Sequence, residues 1–205
     1  MGVWLQTEIR AVAGVTTETV RDWLRGDGGQ ALTRAGGGIW GFWDGRGGLG
    51  FRSDTLLLST HWPDDAAAGA AVELLKASTL VVDVRGTPLH PTLRPADATP
   101  CAGDGAWVFR EFVVDPEQTA RFVELSQAAW PSFEDRHDAH IHGLFRGPAT
   151  RDEQATFLLV TRYADLATWE ASRSESADPE AWARFRERHA LTRWTRGRSA
   201  VRIEL

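Results

Sequence analysis

The segment HDAHIH at residues 137–142 places His140 and His142 two apart, the spacing that turns both imidazoles to one face of a β-strand. Such a pair can begin a metal site, with Glu111 or His61 as a third ligand from elsewhere in the chain. Two strand histidines with no third ligand in the same segment do not specify one, so no metal is expected. The stretch GRGGLG at residues 45–50 has the spelling of a dinucleotide-binding turn. That turn needs a helix directly after the glycines to hold a pyrophosphate, whereas FRSDTLLLST continues as loop and strand, which makes a flexible hairpin connection the expectation. The lone Cys101, set in ATPCAGDG, excludes an intramolecular disulfide and reads as linker rather than nucleophile. No Ser-His-Asp or Cys-His arrangement is legible.

Whatever chemistry these residues do must be positioned by a core, and 205 residues suffice for one large domain or two small ones. The net charge of −5 is spread without long blocks of either sign, which argues against nucleic acid and membrane surfaces as partners. No secretory leader is legible and no apolar stretch approaches the ~20 residues that span a bilayer, so a cytoplasmic location is expected. Ten tryptophans and nine phenylalanines stand against one tyrosine, a balance that calls for large cores or a hollow site walled by indoles.

Hydrophobic periodicity orders the elements. VWLQTEIR, GIWGFWDG, TLLLSTHW and TLVVDVRG alternate as strands, TTETVRDWLRGDGGQALTRAG reads as one helical region, and PDDAAAGAAVELLKAS as a helix opened by Pro63 and two aspartates. After the proline-rich PTLRPADATPCAGDG the order βαββαβ recurs: WVFREFVV, DPEQTARFVELSQAAW, DAHIHGLFRG, ATFLLVTRY, a helical region over 165–192 and SAVRIEL. Trp4 falls on Trp107, Glu8 on Glu111, IWGFW on IHGLF and TLLLSTHW on TFLLVTRY, at offsets of 103, 102 and 101, which reads as an internal duplication. The βαββαβ unit is the ferredoxin-like motif. The expected organisation is an N-terminal half over 1–92, a linker over 93–104 and a C-terminal half over 105–205.

Strict alternation sorts the strand residues onto two faces. Ile39, Gly41, Trp43, Leu56 and Leu58, with Ile141, Gly143, Phe145, Phe157 and Leu159, form an apolar face expected beneath helices. The other face carries Trp4, Gln6, Glu8, Trp40, Phe42, Asp44 and His61 in one half. In the second half it carries Trp107, Phe109, Glu111, His140, His142, Leu144, Arg146, Arg162 and Arg202. Large aromatics mixed with Glu, His and Arg suit the wall of a ligand cavity. Trp40 and His142 are equivalent in the two copies; either His142 is a functional titratable group, or it simply hydrogen-bonds to Glu111.

VFREFVVD, AAWPSFE and TRYADLATWEASR…WARFRERH resemble the dimeric α/β-barrel superfamily, most of all its NIPSNAP-like and antibiotic-biosynthesis-monooxygenase-like branches. The resemblance implies an α+β fold of two tandem ferredoxin-like βαββαβ halves packed sheet to sheet as an intramolecular α/β barrel. It implies an apolar aromatic small molecule as partner and a monomeric pseudo-dimer or a homodimer. It also implies cofactor-independent monooxygenase chemistry, with His142 removing a proton and Arg162 or Arg202 stabilising an enolate. Trp40 or Trp107 would be the platform, and Phe42, His61, Glu111 and His140 would complete the binding wall. Haem is the main cofactor alternative, with His142, His140 or His189 as axial ligand; otherwise no cofactor is expected. The third reading is a non-catalytic ligand-binding or interaction protein.

Overall fold

The computed structural model of the protein describes residues 2–52 and 54–205, the side chain of Arg46 excepted. Contacts group the chain into two units: residues up to His90 with Asp97–Ala102 and Ser199–Leu205, and Pro91–Ala96 with Gly103–Arg198. Among the described residues, no helix is long and apolar enough to cross a membrane.

The first unit contains β1 (Val3–Ala11), α1 (Thr17–Arg25), α2 (Asp27–Arg34), β2 (Gly38–Asp44), β3 (Thr55–Trp62), α3 (Asp65–Lys76) and β4 (Val81–Pro91). Its strands pair antiparallel in the order β4-β1-β3-β2, the ferredoxin-like order. Helix starts follow capping chemistry: the Thr16 hydroxyl accepts from Thr19 N at 3.2 Å, and the Asp64 carboxylate from Ala67 N at 2.9 Å. The region expected as one helix divides at Gly26, whose φ of −103° and ψ of −119° leave the helical range. Val3, Leu5, Ile9, Leu58 and Trp62 of the sheet pack under Val20, Leu24, Leu32 and Leu75 of the helices.

The second unit contains β5 (Ala106–Val114), α4 (Thr119–Arg136), β6 (Ala139–Gly147), β7 (Ala155–Tyr163), α5 (Leu166–Ala171), α6 (Pro179–Ala190) and most of β8 (Thr192–Arg202), with strand order β8-β5-β7-β6. The helical region expected over 165–192 breaks between Ser172 and Asp178. Asp178 is buried and caps α6 by accepting from Ala181 N at 3.0 Å, and Pro179 in its first turn has no N–H to continue an earlier helix. The last strand begins at Thr192, seven residues before SAVRIEL. Its end belongs to the first unit, where Val201 and Arg202 pair with Asp44 and Trp43.

The proline-rich stretch between the halves is hydrogen-bonded at both ends. Thr92 N donates to Leu144 O at 2.9 Å and Leu144 N to Arg94 O at 3.0 Å, a short ladder against β6. Arg94 reaches Glu134 at 2.7 Å and Ile141 O at 3.0 Å, with its guanidinium over Trp130. Farther on, Cys101 N donates to Trp40 O at 2.6 Å. GRGGLG is a short 3-10 turn over Gly45–Gly47 followed by loop, held where Leu49 and Ser199 exchange backbone hydrogen bonds at 3.1 and 2.8 Å.

One shared irregularity corrects the expected strand faces. The β2/β3 register shifts between Ile39 and Gly41, and the β6/β7 register between Ile141 and Gly143. Trp40 and His142 are thus the extra residues of two equivalent β-bulges. An inserted residue exchanges the faces of everything after it. Phe42 therefore lies in the helix-side core with Leu58, and Leu144 in that of the second unit with Leu159. Asp44 likewise accepts a hydrogen bond from Thr17 of α1 at 2.8 Å. Trp43 and Phe145 turn the other way and fold back over Gly41 and Gly143, where a Cβ would collide with their rings.

Candidate ligand pocket

The residues expected to form a site on the helix-free faces are largely occupied with one another. In the first unit, Trp4 lies edge-on to Trp40 at 6.3 Å and to His61 at 4.6 Å, and Trp40 is 6.4 Å from Trp43. All three indoles are buried. Burial lowers the pKa of His61 and raises that of the Cys101 thiol, which keeps that cysteine unreactive. Arg202 belongs to this unit, where its charge acts on Cys101.

In the second unit His142 stacks on Trp107 at 4.4 Å and meets His140 at 4.6 Å, while His140 Nδ1 is 3.3 Å from Glu134. Arg162 donates to Asp104 O at 2.8 Å and to Asp138 at 2.7 Å. Glu111 accepts from Arg196 at 2.9 Å and Arg198 at 2.5 Å. The structure thus brings His140, His142 and Trp107 together, sets Phe42 on the far face of its own sheet, and gives Arg162 and Glu111 counter-charges. Among the described residues, no three His, Cys, Asp or Glu side chains converge as a metal site.

A different site lies beneath the helices of the C-terminal unit, in a cavity of about 420 Å³. Alternation along β5 and β7 supplies its floor, Arg110 and Phe112 from one strand and Leu159, Thr161 and Tyr163 from the other. Trp130 and Phe133 of α4 form a wall. The roof comes from the broken helical region: Trp169 and Ser172 precede the break, and Trp182, Phe185 and Arg188 follow it on α6. Had 165–192 been one straight helix, a single stripe would have covered the sheet; the capped restart at Asp178 lets two short helices arch over it.

The electrostatics of this pocket are unusual for a core. Arg188 is 8 % exposed. Its guanidinium donates to Ser126 Oγ at 3.3 Å and lies over the rings of Phe185 and Phe112 at 4.8 and 4.9 Å. Burial, reinforced by the charge of Arg110, lowers its pKa to about 9, so it remains a cation at neutral pH. Burial also lowers the pKa of Arg110 and raises that of the Tyr163 phenol, which has a side-chain hydrogen bond with Ser172. The phenol therefore stays protonated while two arginines beside it stay charged.

The chain carries only a partial signal of these residues. Arg110 alternates with Val108 and Phe112, so a charge occupied a core-facing register in WVFREFVV. Arg188 sits in FRERHALTRW, where a charge run ordinarily means a solvated helix face.

At the offsets of the repeat, the first unit carries Thr7 for Arg110, Thr60 for Thr161 and Trp62 for Tyr163. Trp62 is fully buried and its indole donates to Thr60 Oγ1 at 2.7 Å. The two units have one strand order.

No protein-family model matches the chain, and no curated protein matches it either. Solved structures do. An anthrone oxidase-like protein aligns at 14 % identity over 99 % of this chain and 92 % of its own, with a TM-score of 0.58. A haem-binding protein from Thermus thermophilus aligns at 13 % identity over 99 % and 92 %, with a TM-score of 0.57. An uncharacterized ferredoxin-fold protein related to antibiotic biosynthesis monooxygenases, from Listeria monocytogenes, aligns at 12 % identity over 100 % and 97 %, with a TM-score of 0.50. At such identities the likeness is one of fold. Along nearly its whole length, the chain shares its ferredoxin-like α+β fold with these proteins.

Proposed function

We propose that the protein binds an apolar aromatic small molecule in the helix–sheet pocket of its C-terminal unit and oxygenates it without a cofactor. The observation that carries this reading is the hollow itself. Trp130, Phe133, Trp169, Trp182 and Phe185 wall a cavity of about 420 Å³. Aromatic walls supply ring-stacking area, and a few inward polar groups orient what stacks there. Oxygenation of such a ligand requires that a deprotonated, electron-rich form persist long enough to meet dioxygen. Arg188 and Arg110 stabilise that negative charge, and the protonated Tyr163 can donate to its oxygen. Two proteins of the same fold, one named as anthrone oxidase-like and one as related to antibiotic biosynthesis monooxygenases, support the same chemistry. We place the ligand here rather than at His142 and Arg162; the Arg162 guanidinium is held by Asp138 and Asp104 O.

One observation favours a second reading. His189 lines the pocket beside Arg188, so an imidazole and arginines able to meet propionates stand together, a donor set that fits haem. Bound there, haem would supply one-electron and oxygen chemistry. An oxygen electrode and a visible spectrum separate the readings. Protein-dependent oxygen uptake with an anthrone-type substrate and no visible chromophore supports the first, and a Soret band supports the second. Saturable quenching of tryptophan fluorescence with no oxygen uptake would make the protein a binder.

A further inference from the structure

Many arginines outside the pocket have an acid beside them. Arg10 pairs with Asp54, Arg121 with Glu187, Arg162 with Asp138 and Arg193 with Asp115. The pocket breaks this habit. Burial and neighbouring positive charge depress both guanidinium pKa values there, and among the described residues that line the cavity there is no Asp or Glu. Arg173, the third arginine at the pocket, reaches Glu170 only at 3.9 Å on the surface. Arg188 is held by one hydroxyl and three phenylalanine rings, which place a guanidinium but do not neutralise it.

A buried cation without a counter-charge is strongly unfavourable in a folded chain. Crowding cations around one cavity raises the penalty: the charge of Arg110 lowers the pKa of Arg188, and that of Arg173 lowers the pKa of Arg110. The equivalent strand position in the first unit, Thr7, is neutral, so the fold itself does not require the charge. A planar guanidinium fork matches a carboxylate edge in geometry as well as charge.

We propose that the ligand of this pocket is an oxyanion on an aromatic frame, a carboxylate or an ionised acidic phenol, and that Arg188 and Arg110 are its counter-charges. This rests on the pocket being the ligand site and adds the charge of what enters it. The aromatic frame lies against Trp130, Trp169 and Trp182, and the anionic group reaches inward to the arginines.

Isothermal titration of the full chain tests the assignment with 2-naphthoate as the carboxylate, ionised 1-nitro-2-naphthol as the phenolate and 2-naphthylmethanol as a neutral frame of similar size. At least one anion should bind about tenfold or more tighter than the alcohol, the scale of one or two charge-assisted hydrogen bonds. Arg188→Met and Arg110→Met should each shrink that preference and leave the alcohol unchanged, and Arg188→Lys should retain part of it. Which anion wins identifies the class. If the alcohol binds as tightly as both anions, or the preference survives in the double Met variant, the charge assignment fails while the pocket stands. If none of the three binds to the folded wild-type protein, the pocket reading itself fails.

Discussion

Trp62 and Tyr163 end equivalent strands of the two units; both are buried, and Tyr163 lines the C-terminal cavity. Tyr163→Trp should narrow the C-terminal pocket and remove its phenol: ligand affinity by titration should fall while circular dichroism and the unfolding transition stay close to wild type. Trp62→Ala should instead leave an unrelaxed cavity and destabilise the protein by about 3–5 kcal/mol in urea unfolding.

Arg188 should be a residue that stability does not favour. Replacing a buried charge that lacks an ionic partner with an apolar side chain of similar length removes a desolvation penalty, and Arg188→Met is expected to leave stability unchanged or raise it by about 1–4 kcal/mol. Anion binding should fall in the same variant. Chemical denaturation beside titration checks both, and a large loss of stability would mark Arg188 as structural.

Anion affinity should depend on pH with a defined sign. The titratable groups that line the pocket with Arg188 are Arg110 from β5, Tyr163 from β7, Arg173 from the segment after α5 and His189 from α6 itself, and of these Arg110 and Tyr163 act on its charge. Arg188 loses its proton near pH 9 in the free protein, lowered mainly by burial, and a bound anion favours the protonated form. Affinity should be flat from about pH 7 to 8 and decline as pH rises through about 9, with proton uptake on binding in that range. Titrations in buffers of different ionisation enthalpy measure the uptake.

His142→Phe discriminates between the helix-free face and the pocket. His142 stacks on Trp107 at 4.4 Å, and a phenyl ring can keep that stack. Ligand affinity and oxygen uptake should be close to wild type. A loss of about a hundredfold in turnover would return the catalytic role to the histidine.

The bulges make a packing prediction. Gly41→Ala drives a Cβ into the buried Trp43 ring, and Gly143→Ala drives one into Phe145. Each should destabilise the protein by about 1–3 kcal/mol through overpacking, read from the urea midpoint.

The paired βαββαβ order, the helix starts at Thr16, Asp64 and Asp165 and the membership of Ile39, Leu58, Phe112, Ile141 and Leu159 in helix-side cores follow from local rules. Periodicity and capping are properties of neighbouring residues, so the sequence alone carries them. The bulges at Trp40 and His142 are not local in this sense: an extra residue is accommodated only when the facing strand's register demands it, and that moved Phe42, Asp44 and Leu144 to the helix side. The pocket was still less legible. Arg110 and Arg188 are 78 positions apart and meet only because α6 restarts at Asp178 and lies across β5 and β7. Spacing in the chain records which residues share a strand or a helix face; which faces close over one another, and whether a void remains between them, is decided by packing of whole elements in the tertiary structure.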